Sequence, residues 1–131
     1  MAPDGVWDPS GGIPDFVKTL YWNVLDRMPE SQSVIDHWTR KTHEHGLAHT
    51  VGGFFTSEEY KGKGMLSETT AKKFYLAVMG RQAEPDERAH WTKRINNGMS
   101  LTQVANFFVA DSEYRRMVKD GKAPDPIHWP S

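Results

Sequence analysis

The chain has 131 residues, a formal net charge of −1, a hydrophobic fraction of 37% and no cysteine. The lack of cysteine excludes disulfides, thiolate metal sites and a cysteine nucleophile. A charge near zero gives no broad attraction to nucleic acid or anionic lipid, so we predict no nucleic-acid partner. No apolar run approaches the roughly 18 residues of a membrane span, and we expect neither membrane insertion nor a signal peptide.

The first half of the chain predicts four helices over residues 13–61, after a Pro- and Gly-rich tail at residues 1–12. Pro14 suits the first turn of a helix, and apolar residues then recur with amphipathic spacing until Pro29, which should end that helix. Three shorter helices follow. Ser31 or Ser33 can cap the second helix, and Gly46 is its predicted end. Gly52-Gly53 should weaken the third helix, and Ser57 can cap the fourth.

The second half repeats this order over residues 67–119, and a second Pro-rich tail covers residues 120–131. Ser67 is a suitable cap for its first helix, and Pro85 suits the start of the next. Ser100 and Gln103 have the spacing of a capping box. The last helix is expected to begin after Asp111. A single domain of 131 residues is therefore predicted to consist of two similar halves.

The two halves match residue by residue. The apolar positions of the first predicted helix recur 54 residues later in the fifth, so that Tyr21 matches Tyr75. The arginine that follows each helix recurs at the same offset, so that Arg27 matches Arg81. The stripe of the third helix recurs at an offset of 53, which pairs Phe55 with Phe108. The duplication predicts an all-α, compact bundle of about seven or eight short helices with pseudo-twofold symmetry, because one unit is too small to close its own core.

The duplicated frame resembles a known family. It reads Leu25-Asp26-Arg27, His37-Trp38 and Phe54 to Tyr60 in the first copy, and Met79-Gly80-Arg81, His90-Trp91 and Phe107 to Tyr114 in the second. This is similar to the helical repeat known as a "domain of unknown function" of bacterial surface-layer proteins and secreted adhesins, itself similar to the phycobilisome linker domain. The first copy departs from the family pattern, with Asp26 in place of glycine. The resemblance implies a non-catalytic module of an extracellular or surface-associated assembly.

Most prominent side chains are predicted to be structural. Trp38 and Trp91 have the chemistry of sugar-stacking platforms, but duplicated aromatics on apolar stripes favour packing. Arg27 and Arg81 could clamp a carboxylate or phosphate, but a structural role is favoured, in which each binds the carbonyls of its helix end or a nearby acid such as Glu30 or Asp86. The remaining residues assigned to the repeat core are Phe55, Phe108, Tyr60 and Tyr114.

The histidines do not form a convincing metal site. His43, His45 and His49 cluster along the chain, but Gly46 interrupts the helix between the last two and no cysteine completes a ligand set. His37 and His90 recur beside the two tryptophans and are expected to make structural hydrogen bonds. We predict no metal and no cofactor.

Three tryptophans outside the duplicated core are the candidates for partner binding. Trp22 lies at the edge of the first apolar stripe, so it could be an exposed contact or part of a wide buried face. Trp7 and Trp129 lie in the two tails, where a large aromatic either docks on its own bundle or inserts into a neighbouring molecule.

Three hypotheses about function follow. The chain has no nucleotide-binding loop, nucleophile elbow or cofactor fingerprint, so we predict that it is not an enzyme. The first hypothesis is a protein-interaction or assembly module of an extracellular, cell-surface or virion structure, by self-association or with another protein. The second is a lectin-like, glycan-binding module, suggested by an aromatic content of 11% and by the family resemblance. The third is a structural spacer without a ligand, in which aromatics such as Trp22 are buried.

Overall fold

Helices form the regular structure in the computed structural model of the protein, which describes residues 6–127 and contains no strand among them. The predicted all-α fold is confirmed. A 3-10 turn covers Pro9–Gly11. The helices are α1 (Gly12–Leu25), α2 (Gln32–His45), α3 (Leu47–Phe55), α4 (Glu58–Gly62), α5 (Ser67–Phe74, continued by a π-turn over Tyr75–Met79), α6 (Pro85–Asn96), α7 (Leu101–Ala110) and α8 (Ser112–Lys119).

Side-chain caps define where several of these helices begin. The Ser57 hydroxyl accepts a hydrogen bond from the Tyr60 N–H at 3.1 Å, at the start of α4. The predicted capping box of α7 is present, with the Gln103 N–H donating to the Ser100 hydroxyl at 3.1 Å and the Ser100 N–H donating to the Gln103 side chain at 3.2 Å. Such caps satisfy amides that have no partner within their own helix.

Two predicted helix boundaries were wrong. Helix α1 ends at Leu25 instead of continuing to Pro29, because Asp26 adopts a left-handed conformation with φ of 59°. Helix α5 includes Ser67 as its first residue, and Leu66 occupies the cap position. The equivalent of Asp26 in the second half is Gly80, with φ of 66°.

The left-handed Asp26 gains an interaction across the two halves. A left-handed conformation costs a non-glycine residue roughly 1–2 kcal/mol. The Asp26 carboxylate accepts hydrogen bonds from the Lys73 ammonium group at 3.0 and 3.2 Å, and the side chain of Lys73 is only 10% exposed. Lys73 also donates to the Asn23 carbonyl at 3.2 Å. This pairing ties α5 to the end of α1 and offsets part of the backbone cost.

The two third helices, α3 and α7, pack closely at the centre of the bundle. A Cβ atom added to Gly52 would lie 2.8 Å from the Thr102 hydroxyl oxygen and 3.0 Å from the Thr102 Cα atom. The sequence predicted that Gly52 weakens α3. The structure gives the reason for the glycine, since no larger residue fits between the two helices.

Ring contacts correct the predicted alignment of the third helices. The Tyr21 and Phe54 rings meet edge to face at 4.8 Å, and the Tyr75 and Phe108 rings do so at 4.8 Å. Phe108 therefore matches Phe54 at an offset of 54, and its predicted pairing with Phe55 was wrong.

The misalignment arises in the connection before the third helix. Eight residues lie between Trp38 and Leu47 at the start of α3, whereas nine lie between Trp91 and Leu101 at the start of α7. The stretch from Trp91 to α7 thus contains one extra residue.

Segments before α1 and after α8 pack against the bundle. The Trp7 indole N–H donates to the Gly12 carbonyl at 2.8 Å, and its ring packs against the core. After α8, the Leu47 N–H donates to the Pro126 carbonyl at 3.0 Å, and the Tyr114 hydroxyl donates to the Pro124 carbonyl at 2.6 Å. Within residues 6–127, no helix combines the length and the apolar character that a membrane crossing needs.

Candidate protein-binding groove

Each half contains a tyrosine–arginine–glutamate cluster. In the first half, Arg27 donates from Nε and Nη2 to the two carboxylate oxygens of Glu59 at 2.8 Å each, and its guanidinium carbon lies 5.0 Å from the Tyr21 ring centre. These hydrogen bonds lower the pKa of Glu59. Arg27 also forms an ion pair with Glu30 at 3.2 Å. The cluster fastens the end of α1 to α4.

The second cluster has the same members at an offset of 54 and one more carboxylate. Arg81 joins Glu113 at 2.8 and 2.7 Å and Glu87 at 2.8 Å twice, and it stacks on Tyr75 at 5.0 Å. A fifth hydrogen bond, of 2.9 Å, goes to the Gln82 carbonyl. A guanidinium group has five N–H donors, so Arg81 has none left to clamp a ligand. The acids that it binds are Glu87 and Glu113, not the predicted Asp86.

The two repeated tryptophans lie at the edge of the core, partly buried. The Trp38 ring packs on Phe54 at 4.8 Å and covers Gly53, where a Cβ atom would lie 3.1 Å from two of its ring carbons. Trp91 packs on Phe108 at 5.0 Å. Both rings therefore contact the same matched phenylalanine of their own half.

Phe107 stands where the first half has Gly53, and it makes the surroundings of Trp91 different. Its side chain is 52% exposed, and its ring lies 6.1 Å from that of Trp91. The Arg94 guanidinium group lies 5.7 Å from each of the two rings. The second half thus presents an aromatic and cationic surface that the first half lacks.

An open groove of about 460 Å³ lies at a seam between the two halves. Its apolar lining comes from α3, α4 and the α4–α5 connection on one side, and from α6 and α7 on the other. The main apolar side chains are Phe55, Tyr60, Met65, Ile95, Met99 and Leu101.

The polar groups of this groove are few. The Tyr60 hydroxyl exchanges a hydrogen bond of 2.7 Å with the Thr70 hydroxyl inside the groove, while the exposed Lys61 contributes a cation to its lining. Leu66, next to Met65, is 73% exposed and extends the apolar surface. Burial raises the pKa of Tyr60 above the ordinary tyrosine value.

A second depression, of about 580 Å³, lies between α5 and α6 and is lined mainly by polar residues. Two of its charged groups pair with each other, since Arg88 binds Glu68 at 3.1 Å. Ligand sites combine an apolar surface with a few polar groups, and the seam groove fits that description better.

The family model described as "Domain of unknown function (DUF4214)" matches the chain twice, over residues 13–64 and 51–118. The chain belongs to this family. The two DUF4214 matches share residues 51–64. The end of α3 and the whole of α4 therefore belong to both matches. No curated protein and no solved structure was found to match the chain.

The three tryptophans predicted to bind a partner have different positions on the DUF4214 fold. Trp22 is 37% exposed on α1, on the surface of the first matched segment. Trp7 is partly buried against its own bundle, just before that segment. Trp129 lies outside the described residues.

Within residues 6–127, no group of three histidine or acidic side chains could hold a metal ion. The rings of His45 and His49 lie 4.7 Å apart. His37 and His90 are exposed, each edge-on to the adjacent tryptophan, at 5.5 and 5.2 Å.

The sequence analysis missed the seam groove and the glutamate partners of the arginines. Glu59 and Glu113 carry a signal, because they are related by the same offset of 54 as Arg27 and Arg81. No sequence pattern marks the groove, which depends on how the two halves meet.

Proposed function

We propose that the chain is a non-catalytic protein-interaction module of a larger assembly. The observation that carries this proposal is the seam groove, an open apolar surface built by both halves with the cation Lys61 in its lining. Exposed apolar patches bordered by polar residues are typical of protein–protein contact sites. All five N–H donors of Arg81 bind groups within the chain, which supports a structural role for the cluster of Arg81, Glu87 and Glu113.

Site-specific crosslinking tests this function. A photo-reactive phenylalanine analogue replaces Met99 in the groove, and a control protein carries it at His45, the matched position 54 residues earlier. Irradiation in the source cells should give a discrete protein adduct from position 99 and none from position 45. Adducts of equal yield at both positions, or none at position 99, would contradict the proposal.

Self-association is one form of this function. Sedimentation equilibrium of the purified chain measures it directly, because a dimer or longer assembly doubles or further multiplies the 14.9 kDa mass. If the partner is a second copy, Met99→Glu should return the protein to a monomer, since a buried charge without a partner is costly at an interface.

A glycan-binding function has one specific observation in its favour. The exposed Phe107, the partly buried Trp91 and the adjacent Arg94 form an aromatic and cationic surface, in which the two rings are inclined at 55°. Aromatic faces of this kind can stack on sugar rings. A glycan array probed with the natural chain and with Phe107→Ala tests this function. Binding that the substitution abolishes would support it, and an array without hits would remove it.

The resemblance to surface-layer and adhesin repeats supports an extracellular or surface-associated location, and the similarity to phycobilisome linkers supports a role in assembly. Fractionation of the source cells with an antibody against the chain tests the location. Recovery of the protein in the cytosolic fraction alone would contradict it.

A further inference from the structure

The seam groove has a counterpart between α8 and α3, and the chain itself fills it. Leu47 and Leu101 are the first residues of α3 and α7, and Tyr60 and Tyr114 lie in α4 and α8; both pairs are related by an offset of 54. Tyr60 and Leu101 line the open groove. Their matched residues, Tyr114 and Leu47, bind the segment of residues 123–127 that follows α8.

The filling segment is held by its backbone carbonyls. The Tyr114 hydroxyl donates to the Pro124 carbonyl at 2.6 Å, and the Leu47 N–H donates to the Pro126 carbonyl at 3.0 Å. Ala123, Pro124 and Pro126 are buried, whereas Asp125 between the prolines is exposed. Proline lacks an N–H, so a segment with alternating prolines buries few donors that need a partner.

The open groove offers similar features. Leu101 occupies the first position of α7, where a backbone N–H has no acceptor within its own helix. The Tyr60 hydroxyl already pairs with Thr70, ten residues further on, as Tyr114 pairs with Pro124. The chain continues into α5 at this point, and the space next to Leu101 forms the groove of about 460 Å³.

Charge also matches between the filling segment and the open groove. Lys61 follows Tyr60 in the groove lining, and Arg115 follows Tyr114 at the matched position. Asp125 of the filling segment lies close enough to Tyr114 to help burial raise the pKa of that tyrosine. In the filled groove the Asp125 carboxylate accepts a hydrogen bond of 2.9 Å from the Ile127 N–H, and the Arg115 Nε donates to the Ala110 carbonyl at 3.1 Å. In the open groove, an acidic residue of a bound segment would lie near Lys61.

We propose that the seam groove binds an extended, proline-containing segment with an acidic side chain, supplied by another polypeptide and held by the Leu101 N–H as Pro126 is held by the Leu47 N–H. This inference rests on the proposed function and names the chemistry of the partner. The carbonyl of the second proline accepts from the Leu101 N–H, the prolines cover Met65 and Met99, and the acidic side chain faces Lys61.

A synthetic peptide with the sequence of residues 121–127, acetylated and amidated, is the probe. It is titrated into the full, ¹⁵N-labelled chain, and the amide resonances are followed by NMR. The peptide should shift the Leu101 amide most strongly and leave the Leu47 amide unchanged, because Pro126 already occupies that site.

Two variants and one altered peptide sharpen this test. Met65→Glu places a charge in the apolar lining, and Lys61→Glu reverses the charge of the cation; each should weaken binding by about tenfold or more. Lys18→Glu on α1 is the matched charge reversal outside the groove and should bind normally. A peptide with both prolines replaced by alanine should bind more weakly, because it loses the pre-formed extended backbone.

Shifts centred on Leu47, equal binding of the alanine peptide, or no shift at millimolar peptide would overturn this assignment. The crosslinking experiment separates the two proposals. If a protein adduct forms at position 99 but the peptide does not bind, the proposed interaction function stands and the proline-containing partner is rejected. The absence of both rejects the two proposals together.

Discussion

The guanidinium group of Arg81 and the carboxylate of Glu113 are joined by two parallel hydrogen bonds of 2.8 and 2.7 Å. Arg27 and Glu59 repeat this arrangement 54 residues earlier, at 2.8 Å twice. In both halves the pair fastens the end of the first helix to the last helix of the same half. The second half adds Glu87 to its pair.

Replacing each arginine by lysine should therefore destabilise the protein unequally. Lysine keeps the charge but cannot reproduce the planar fork that binds two carboxylates. We expect Arg81→Lys to lower the free energy of unfolding by about 1–3 kcal/mol, and Arg27→Lys by about 1 kcal/mol, since both sites are partly solvated. Urea unfolding followed by circular dichroism measures both. Equal losses, or a larger loss at Arg27, would contradict the account.

The first cluster also predicts a dependence on pH. The hydrogen bonds from Arg27 hold the pKa of Glu59 in the folded protein below its ordinary value. Its contribution to stability is therefore complete above the ordinary carboxyl pKa and is lost as the pH falls through the folded pKa. Glu59→Gln should be less stable than the natural chain at pH 7, and the difference should shrink below about pH 4.

The neighbouring residue supplies the control for that measurement. Glu58 lies in the first turn of α4 beside Glu59. Glu58→Gln should keep the pH dependence of the natural chain, with unfolding measured in urea at pH 7 and pH 3. If Glu59→Gln lowers the free energy of unfolding by the same amount at both pH values, the assigned role of the Arg27–Glu59 pair is contradicted.

Glycine at position 52 should be required for the packing of α3 on α7. A Cβ atom would lie 3.0 Å from the Thr102 Cα atom, which is backbone and cannot move alone. We expect Gly52→Ala to cost about 1–3 kcal/mol of stability, in spite of the better helix propensity of alanine. Gly62→Ala is the control, because its Cβ atom would meet nothing within 4 Å. Thermal unfolding should show a lower Tm for the first variant and an unchanged or higher Tm for the second.

Much of the fold could be predicted from local patterns. Apolar spacing located the helices, and short-range capping signals such as Ser100 with Gln103 identified where several of them begin. Asp26 shows the limit of such signals. Its left-handed conformation and its contact with Lys73, from the other half, depend on tertiary packing, and the proline three residues later gave the more obvious stop signal.

The candidate site could not be predicted, for a related reason. One extra residue between Trp91 and the start of α7 changes the offset from 53 at Trp91 to 54 at Phe108, and nothing local distinguishes the two alignments. The groove exists because the chain forms α5 after Tyr60 but an extended segment after Tyr114. That difference is one of tertiary structure, because the two tyrosines lie in helices of similar local sequence.

Removing the hydroxyl of Tyr114 should loosen the segment after α8. Tyr114→Phe leaves the Pro124 carbonyl without its 2.6 Å hydrogen bond, which should cost about 1–2 kcal/mol of docking free energy. Trypsin cleavage after Lys122, at the base of this segment, should then become faster. Tyr60→Phe is the matched control and should leave the cleavage rate unchanged. Identical rates in the natural chain and both variants would contradict the role of Tyr114.

Amide hydrogen exchange at Leu47 and Leu101, in the full chain without any added ligand, tests the central claim most directly. Two matched grooves lie between the halves, one filled by residues 123–127 and the other open. The Leu47 amide should therefore exchange at least about tenfold more slowly than the Leu101 amide. Equal exchange at the two amides, or stronger protection at Leu101, would show that the grooves do not differ in this way.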